Sequence, residues 1–334
     1  MPAIIQDPVL APSFSFHTFA LLMKTYRGIP EIPHIPHAVV TTGTFDGVHP
    51  GHRSILERLN KRAGEIGGES VLITFDPHPR TVIHPDSANL KLLNTQAEKE
   101  ALLAETGLDH LIVIPFTKAF SQITAEEYIR SVLVEKIGVE KLVIGYDHRF
   151  GHGRGGSFRE LKEMSPSLGF EVEEIPALEI EGVAVSSTKI RQALMEGDVK
   201  KAAEKLGYLY SVSGLVVKGD QIGRSLGFPT ANLQVNDIHK LVPADGIYAV
   251  WVDTDHSTYK GMLHIGPRRT LNSDEKRIEV NLFDFSDDLY GNIIRLRFID
   301  RLRGEEKFNS LADLTEQMKI DKLQTERIFE NLEK

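Results

Sequence analysis

The chain contains no cysteine. That excludes disulfides, thiolate metal sites and thiol nucleophiles, and it suits a cytoplasmic enzyme better than a secreted one. Long apolar runs are missing too, since no stretch approaches the roughly 20 residues that a membrane helix needs. No Lys or Arg precedes Lys24, the reverse of a secretory n-region, so neither export nor a membrane is expected. An excess of positive charge is also lacking. With 39 Lys and Arg against 47 Asp and Glu, the formal charge is -8, which offers no basic face to a nucleic-acid backbone. Anionic ligands must therefore be caught by local sites. Internal repeats and low-complexity tracts are absent, so two halves of different character are different folds rather than a duplication.

What is present is enough chain for two cores, at 334 residues. Residues 1–22, interrupted by Pro2, Pro8 and Pro12, show no periodicity and read as an extension ahead of MKTYRGIPEIP. From Ala38 the runs AVVTTG, ESVLITF, HLIVIPF and KLVIGY alternate with HRSILERLNKRAGEIG, TQAEKEALLAETG and AEEYIRSVLVEKIG. Strand-like and helix-like segments in alternation predict a mostly parallel sheet with helices on both faces, with ligands at the carboxyl ends of the strands. TTGTFDG, TFDPHP and IGYDHRFGHGRGG all fall there. After SSTKIRQALMEGDVKKAAEKLG, expected as a helix, the character changes. YSVSGLVVKG, TANLQV, GIYAVWVDT, YKGMLHIG, RIEVNLFDF and IIRLRFIDRLR are closely spaced strand candidates, and only the tail from Leu311 is helical. The fold class is thus α/β plus β: domains at 23–206 and 207–334, the second an antiparallel sheet or small barrel with a C-terminal helix.

In GTFDGVHPGH a strand gives way through a glycine turn to a helix beginning near Pro50 or Gly51, where unpaired N–H groups and the helix dipole favour an anion. Gly43, Phe45, Asp46 and Gly51 are the candidate nucleotide contacts of this segment. His49 and His52, together with the later SSTKIR, resemble the nucleotidylyltransferase superfamily. The resemblance implies that the two histidines stabilise reacting ATP phosphates while Ser187, Thr188 and Arg191 hold the triphosphate. Asp147, His148 and Arg149, with the loop Gly151–Gly156, suit either a phosphate or ring contact or a surface turn. His78 lies at a strand's carboxyl end near substrate. His34 and His37 have HxxH spacing, but prolines keep them off a helix and no acidic residue adjoins them.

A second phosphate-handling segment is KGDQIGRSLGFPTANL. It lacks the Lys-Ser/Thr ending of a P-loop, yet its glycines, Gly223 among them, permit close backbone approach, and Thr230 offers a hydroxyl to Mg2+. Glu279 in RIEVNLFDF is the candidate general base. Alternation puts Glu279 and Asn281 on one face, with Val280 and Leu282 on the other.

From Met23 to the end the chain resembles the bifunctional riboflavin kinase/FMN adenylyltransferases, the prokaryotic type of FAD synthetase. The resemblance rests on GTFDGVHPGH, TFDPHPR, GYDHRFGHGRGG, SSTKIR, GFPTAN, DGIYAV, HIGPRRT, EVNLFDF, DLYG and RLRGEEKF in that order. It implies a Rossmann-like nucleotidylyltransferase domain followed by a riboflavin kinase barrel. ATP, Mg2+, riboflavin, FMN and FAD are the implied small molecules, with Thr230 and Asn232 around MgATP and Glu279 as base for the riboflavin 5′-hydroxyl. DLYG and RLRGE correspond to loops that close over flavin and nucleotide; for Arg301 and Arg303 a solvated charge run is the default. The chain departs from the commoner Asn-Ile-Gly-x-Arg-Pro-Thr, with His264 and Arg269 in place of Asn and Pro. The other readings are an enzyme with one silent domain and a flavin-binding regulator without turnover. The intact sets His49, His52, Arg191 and Thr230, Asn232, Glu279 speak against both.

Overall fold

A computed structural model describes residues 23–83, 90–145, 150, 151, 153, 156–175, 185–219, 226–267 and 276–333. The extension 1–22 lies outside them. By its contacts the chain divides into two units, the break falling between Ser187 and Thr188.

The first unit is built on six parallel strands: β1 (Lys24–Arg27), β2 (Ala38–Thr42), β3 (Ser70–Asp76), β4 (His110–Pro115), β5 (Val139–Gly145) and β6 (Glu171–Ile175). Their order is β1-β4-β3-β2-β5-β6. The central strands are apolar throughout because both faces are covered. Val40, Ile73, Ile112 and Leu142 enter one core, and their sequence neighbours Val39, Leu72, Leu111 and Val143 enter the other. Helix α1 (Pro50–Ile66) starts on Pro50, where a missing N–H costs nothing, and stops at left-handed Gly67. Strand order reverses at β2, between β3 and β5, so the loop after β2 opens at the switch point where such sheets bind ligands.

The helices α2 (Pro79–Ile83), α3 (Gln96–Ala104), α4 (Ala125–Tyr128) and α5 (Phe158–Leu168) complete this unit. Three differences from the sequence reading stand out. The expected helix AEEYIRSVLVEKIG is α-helical only over α4 and continues as a π-helix, Ile129–Ile137, which buries Ile129, Val132, Leu133 and Ile137. Tertiary packing, which local propensity does not encode, decides that turn width. The edge strands β1 and β6 are short and rich in charge, so apolar alternation could not reveal them. The expected helix from Ser187 is two helices, α6 (Ser187–Glu196) and α7 (Val199–Leu206). Gly197 breaks it at φ 82°, and Asp198 restarts it by accepting the Lys201 N–H at 3.0 Å.

In the second unit β7 (Ser211–Val217), β8 (Ala231–Gln234), β9 (Gly246–Asp253), β10 (Thr258–Pro267), β11 (Lys276–Leu282) and β12 (Ile293–Arg303) close an antiparallel barrel, and α8 (Leu311–Leu332) follows. Circular order is β10-β11-β8-β7-β12-β9. Register shifts in β12 at Phe298/Asp300 and Arg301/Arg303 supply the bend that closure requires. Ile278, Val280 and Leu282 are the buried alternate positions of β11, opposite in facing to Glu279 and Asn281. Outside the wall, Phe228, Ile247, Met262 and Phe283 form a small apolar cluster with Leu226, Leu302 and Met318.

Candidate active sites

The loop from Gly43 to His49 is held in a conformation that side chains resist. Phe45 and Val48 have φ of 48° and 34°. For a β-branched residue such a value is an outlier, and strain of this kind persists only where surroundings fix it. They do so here. Asp46, buried, accepts the Leu93 and Asn94 N–H groups at 2.9 and 3.3 Å, and the Asn94 side chain accepts the Gly47 N–H at 2.9 Å. The Ser187 hydroxyl donates to the Asp46 carbonyl at 2.9 Å. Gly43 is required because a Cβ there would lie 2.9 Å from the Phe45 ring.

The loop delivers His49 to the N-cap of α1 and His52 to its first turn. The two imidazoles stack with centroids 3.7 Å apart, and Phe45 packs on His52 at 4.8 Å. Both Nδ1 atoms are buried and have no hydrogen-bond partner among the described residues. Burial lowers His49 to about 4, with the Asp46 charge pulling the other way. Burial likewise holds His52 well below the ordinary histidine range, and the charges of His49 and Lys99 add to the effect. Two neutral rings can offer N–H donors to a phosphate without the cost of bringing two buried charges together. Gly51, also buried, supplies a helix N-terminal N–H after Pro50, which has none.

Sequence reasoning missed Lys99 and Asn94. Lys99 on α3 is 8% exposed, and its ammonium reaches the Thr74 hydroxyl at 3.2 Å and the Thr44 carbonyl at 3.4 Å. Burial lowers its pKa, while Asp46, Asp76 and Glu100 act in the opposite sense. An isolated lysine within the helix TQAEKEALL carries no signal of this; only the fold brings α3 under the loop. Thr188 and Arg191 follow Ser187 on α6 and group with the second unit, one helical face holding both at i, i+3. Asp147, His148, Arg149, Gly223 and Arg269 lie outside the described residues.

On the barrel's outer wall the register assembles the second set. Asn232 on β8 is the direct partner of Glu279 on β11, which is the direct partner of His264 on β10. Directly opposed residues share a face with Cβ atoms about 5 Å apart, so the three form one row across three strands. Thr230 immediately precedes β8, two residues before Asn232. The Asn281 amide donates to the Pro229 carbonyl at 2.6 Å and so fixes the turn carrying Thr230. A Cβ at Gly219 would collide with the Asn232 amide, which makes that glycine part of the cradle. Arg277 lies 3.4 Å from Glu279.

Arg301 and Arg303 are not a solvated charge run. Arg301 donates to the Asp245 carbonyl at 2.6 Å and the Glu196 carbonyl at 3.1 Å, and Arg303 grips Asp321, 1% exposed, at 2.8 and 3.0 Å. His37 does have an acidic neighbour, Glu140 of β5 at 2.6 Å, although no group of three metal-binding side chains occurs among the described residues. The His78 Nδ1 accepts the Arg80 N–H at 3.2 Å.

Comparisons agree with this two-site arrangement. A family model described as FAD synthetase matches residues 32–189, and one described as riboflavin kinase matches residues 206–329. The chain is 36% identical to a bifunctional riboflavin kinase/FMN adenylyltransferase of Pseudomonas fluorescens, over 90% of this chain and 96% of that one. It is 35% identical to the protein of the same name from Escherichia coli K12, over 92% and 98%. Among solved structures, a protein named as a macrolide-efflux protein from Streptococcus pneumoniae matches with a TM-score of 0.82 and 33% identity, covering 91% of this chain and 99% of that one. Among the described residues here, no helix is long and apolar enough to cross a membrane.

Proposed function

The chain belongs to the bifunctional riboflavin kinase/FMN adenylyltransferase family, and from that membership we propose how its residues divide the work. The barrel unit phosphorylates riboflavin to FMN with ATP, and the sheet unit adenylylates FMN to FAD with release of pyrophosphate. We place both reactions in the cytoplasm, in keeping with the absence of cysteine.

In the sheet unit an FMN phosphate oxygen attacks the α-phosphorus of ATP. That oxygen is anionic at neutral pH, so the protein needs no base and supplies orientation and donors aimed at growing charge. His49 and His52 provide those donors as neutral imidazoles, and the Gly51 N–H adds a third from the start of α1. Gly43, Phe45 and Asp46 shape the loop. Ser187, Thr188, Arg191 and Asp147 keep the nucleotide-binding roles that the family resemblance implies for them. The observation that carries this reading is the stacked histidine pair, buried at both Nδ1 atoms and held uncharged by burial.

In the barrel unit the riboflavin 5′-hydroxyl is a poor nucleophile, so a carboxylate must take its proton as it attacks the γ-phosphorus. Glu279 has that role, with Arg277 3.4 Å away. Thr230 and Asn232 offer two hard oxygens, and Gly223 keeps the phosphate role that the sequence suggests for it. This donor set fits Mg2+ arriving with ATP, whose phosphates supply further oxygens, rather than a carboxylate cage. The ion would neutralise charge on the transferred phosphate.

Incubating the purified chain with riboflavin, ATP and Mg2+ and separating the flavins over time tests the whole scheme. FMN should rise and then fall as FAD appears. Riboflavin that binds but never changes would reject turnover.

A further inference from the structure

His264 marks a departure from the motif that surrounds it, and its position gives the departure a meaning. It stands directly across from Glu279 in the β10–β11 ladder, on the face that also carries Asn232. Its Nε2 lies 2.8 Å from Glu305 Oε2, so an imidazole N–H donates to the carboxylate. Glu305 is two residues beyond the end of β12, in the segment leading to α8. The root of that segment is already fixed, because Arg303 grips the buried Asp321 of α8. His264 supplies a second peg two residues on. The wall beneath is shaped for the pair: a Cβ on Gly266 would sit 2.7 Å from His264 Nε2 and 3.1 Å from Glu305 Oε2. Glycine at this position therefore leaves room for the imidazole and the carboxylate to meet over the strand.

We infer that His264 is a positioning residue for riboflavin phosphorylation, holding Glu305 and the segment after β12 against the row that carries Glu279. The inference rests on Glu279 being the kinase base. Without His264, the Glu305 carboxylate loses its donor next to a second carboxylate and close to where nucleotide phosphates are proposed to bind. A negative charge there opposes the incoming triphosphate. The segment that follows Arg303 would also lose its attachment to the wall. Both effects weaken the transition state more than the binding of neutral riboflavin, so the loss belongs in kcat.

The test uses the full chain with His264→Ala, Glu305→Ala, the double variant, His264→Gln and Glu279→Gln. Riboflavin binding and the thermal unfolding of each variant report that its barrel unit is folded. His264→Ala should lower kcat for FMN formation about tenfold, leaving KM for riboflavin within about twofold. Removing Glu305 as well should cost nothing further, because the two side chains act as a pair. His264→Gln, which keeps a donor, should recover part of the rate. Strictly additive losses, or a His264→Ala variant with unaltered kcat, would overturn the inference while a dead Glu279→Gln upheld the base. A Glu279→Gln variant with full kinase activity would instead overturn the base assignment, and the inference with it.

Discussion

The two candidate sites handle charge in opposite ways. In the sheet unit, ionisable groups are stripped of water: two stacked histidines are held uncharged by burial, and the buried Lys99 ammonium bonds a hydroxyl and a carbonyl while the charges of Asp46, Asp76 and Glu100 act on it. On the barrel wall the ionisable side chains of the row are paired, Glu279 with Arg277 at 3.4 Å and His264 with Glu305 at 2.8 Å, and all remain partly exposed. The chemistry explains the contrast. An FMN phosphate is already a nucleophile, so its site gains from neutral donors in a low-dielectric pocket, where each hydrogen bond counts for more. A ribityl alcohol must lose a proton, so its site needs a carboxylate to take it.

The sharpest way to break the comparison is to remove the chemistry of one site and read the other. Glu279→Gln should reduce FMN formation by about a thousandfold, within the range typical of a general base, and leave FAD formation from FMN intact. His49→Ala with His52→Ala should do the reverse and accumulate FMN, with FAD formation down about a hundredfold or more. Loss of both activities in either variant would mean that the sites are not separable. Flavin chromatography on matched samples distinguishes these results.

A smaller effect is expected at Lys99. Replacement by Met keeps the length and removes a buried cation that bonds only a hydroxyl and a carbonyl among the described residues, so the fold should be unharmed or slightly stabilised. FAD formation should nonetheless drop roughly tenfold, since the Thr44 carbonyl loses its donor and the loop its fixed charge. Urea unfolding beside the adenylyl-transfer rate checks both halves. A large stability loss with proportional activity loss would make Lys99 merely structural.

The smallest effect is in stability against pH. Between about pH 6.5 and about 4 the unfolded chain binds a proton at His49 that the folded chain refuses. Stability is therefore complete above that window and declines as pH falls through it, by on the order of 3 kcal/mol for this group. His52 adds a contribution of the same sign. Denaturant midpoints measured at pH 7 and 5 should differ less for His49→Asn than for the parent chain. An equal pH slope in both would remove burial as the cause.

Much of this was legible beforehand, and the reasons differ by element. The central strands announced themselves because burial on both faces demands unbroken apolar runs, as in AVVTT and HLIVIP. Glu279 and Asn281 separated from Val280 and Leu282 because a strand alternates. Edge strands such as EVEEI carry no such pattern, since only one side of them needs covering. Lys99 and Asn94 were invisible because their meaning depends on which loop lies above them. His264 was visible as a departure but mute, because the identity of its cross-strand partner is a property of register.

That same register has a consequence for how the barrel can change over evolutionary time. Because Glu279 and Asn281 alternate with Ile278, Val280 and Leu282 along one strand, function and core are written in the same seven residues, one letter in two. Substitutions can edit either message separately. A single inserted or deleted residue in β11 edits both at once, turning a carboxylate into the hydrophobic interior and an aliphatic side chain toward the nucleotide. Length in this strand is thus held more tightly than composition, and new substrates are more easily reached through its flanking loops.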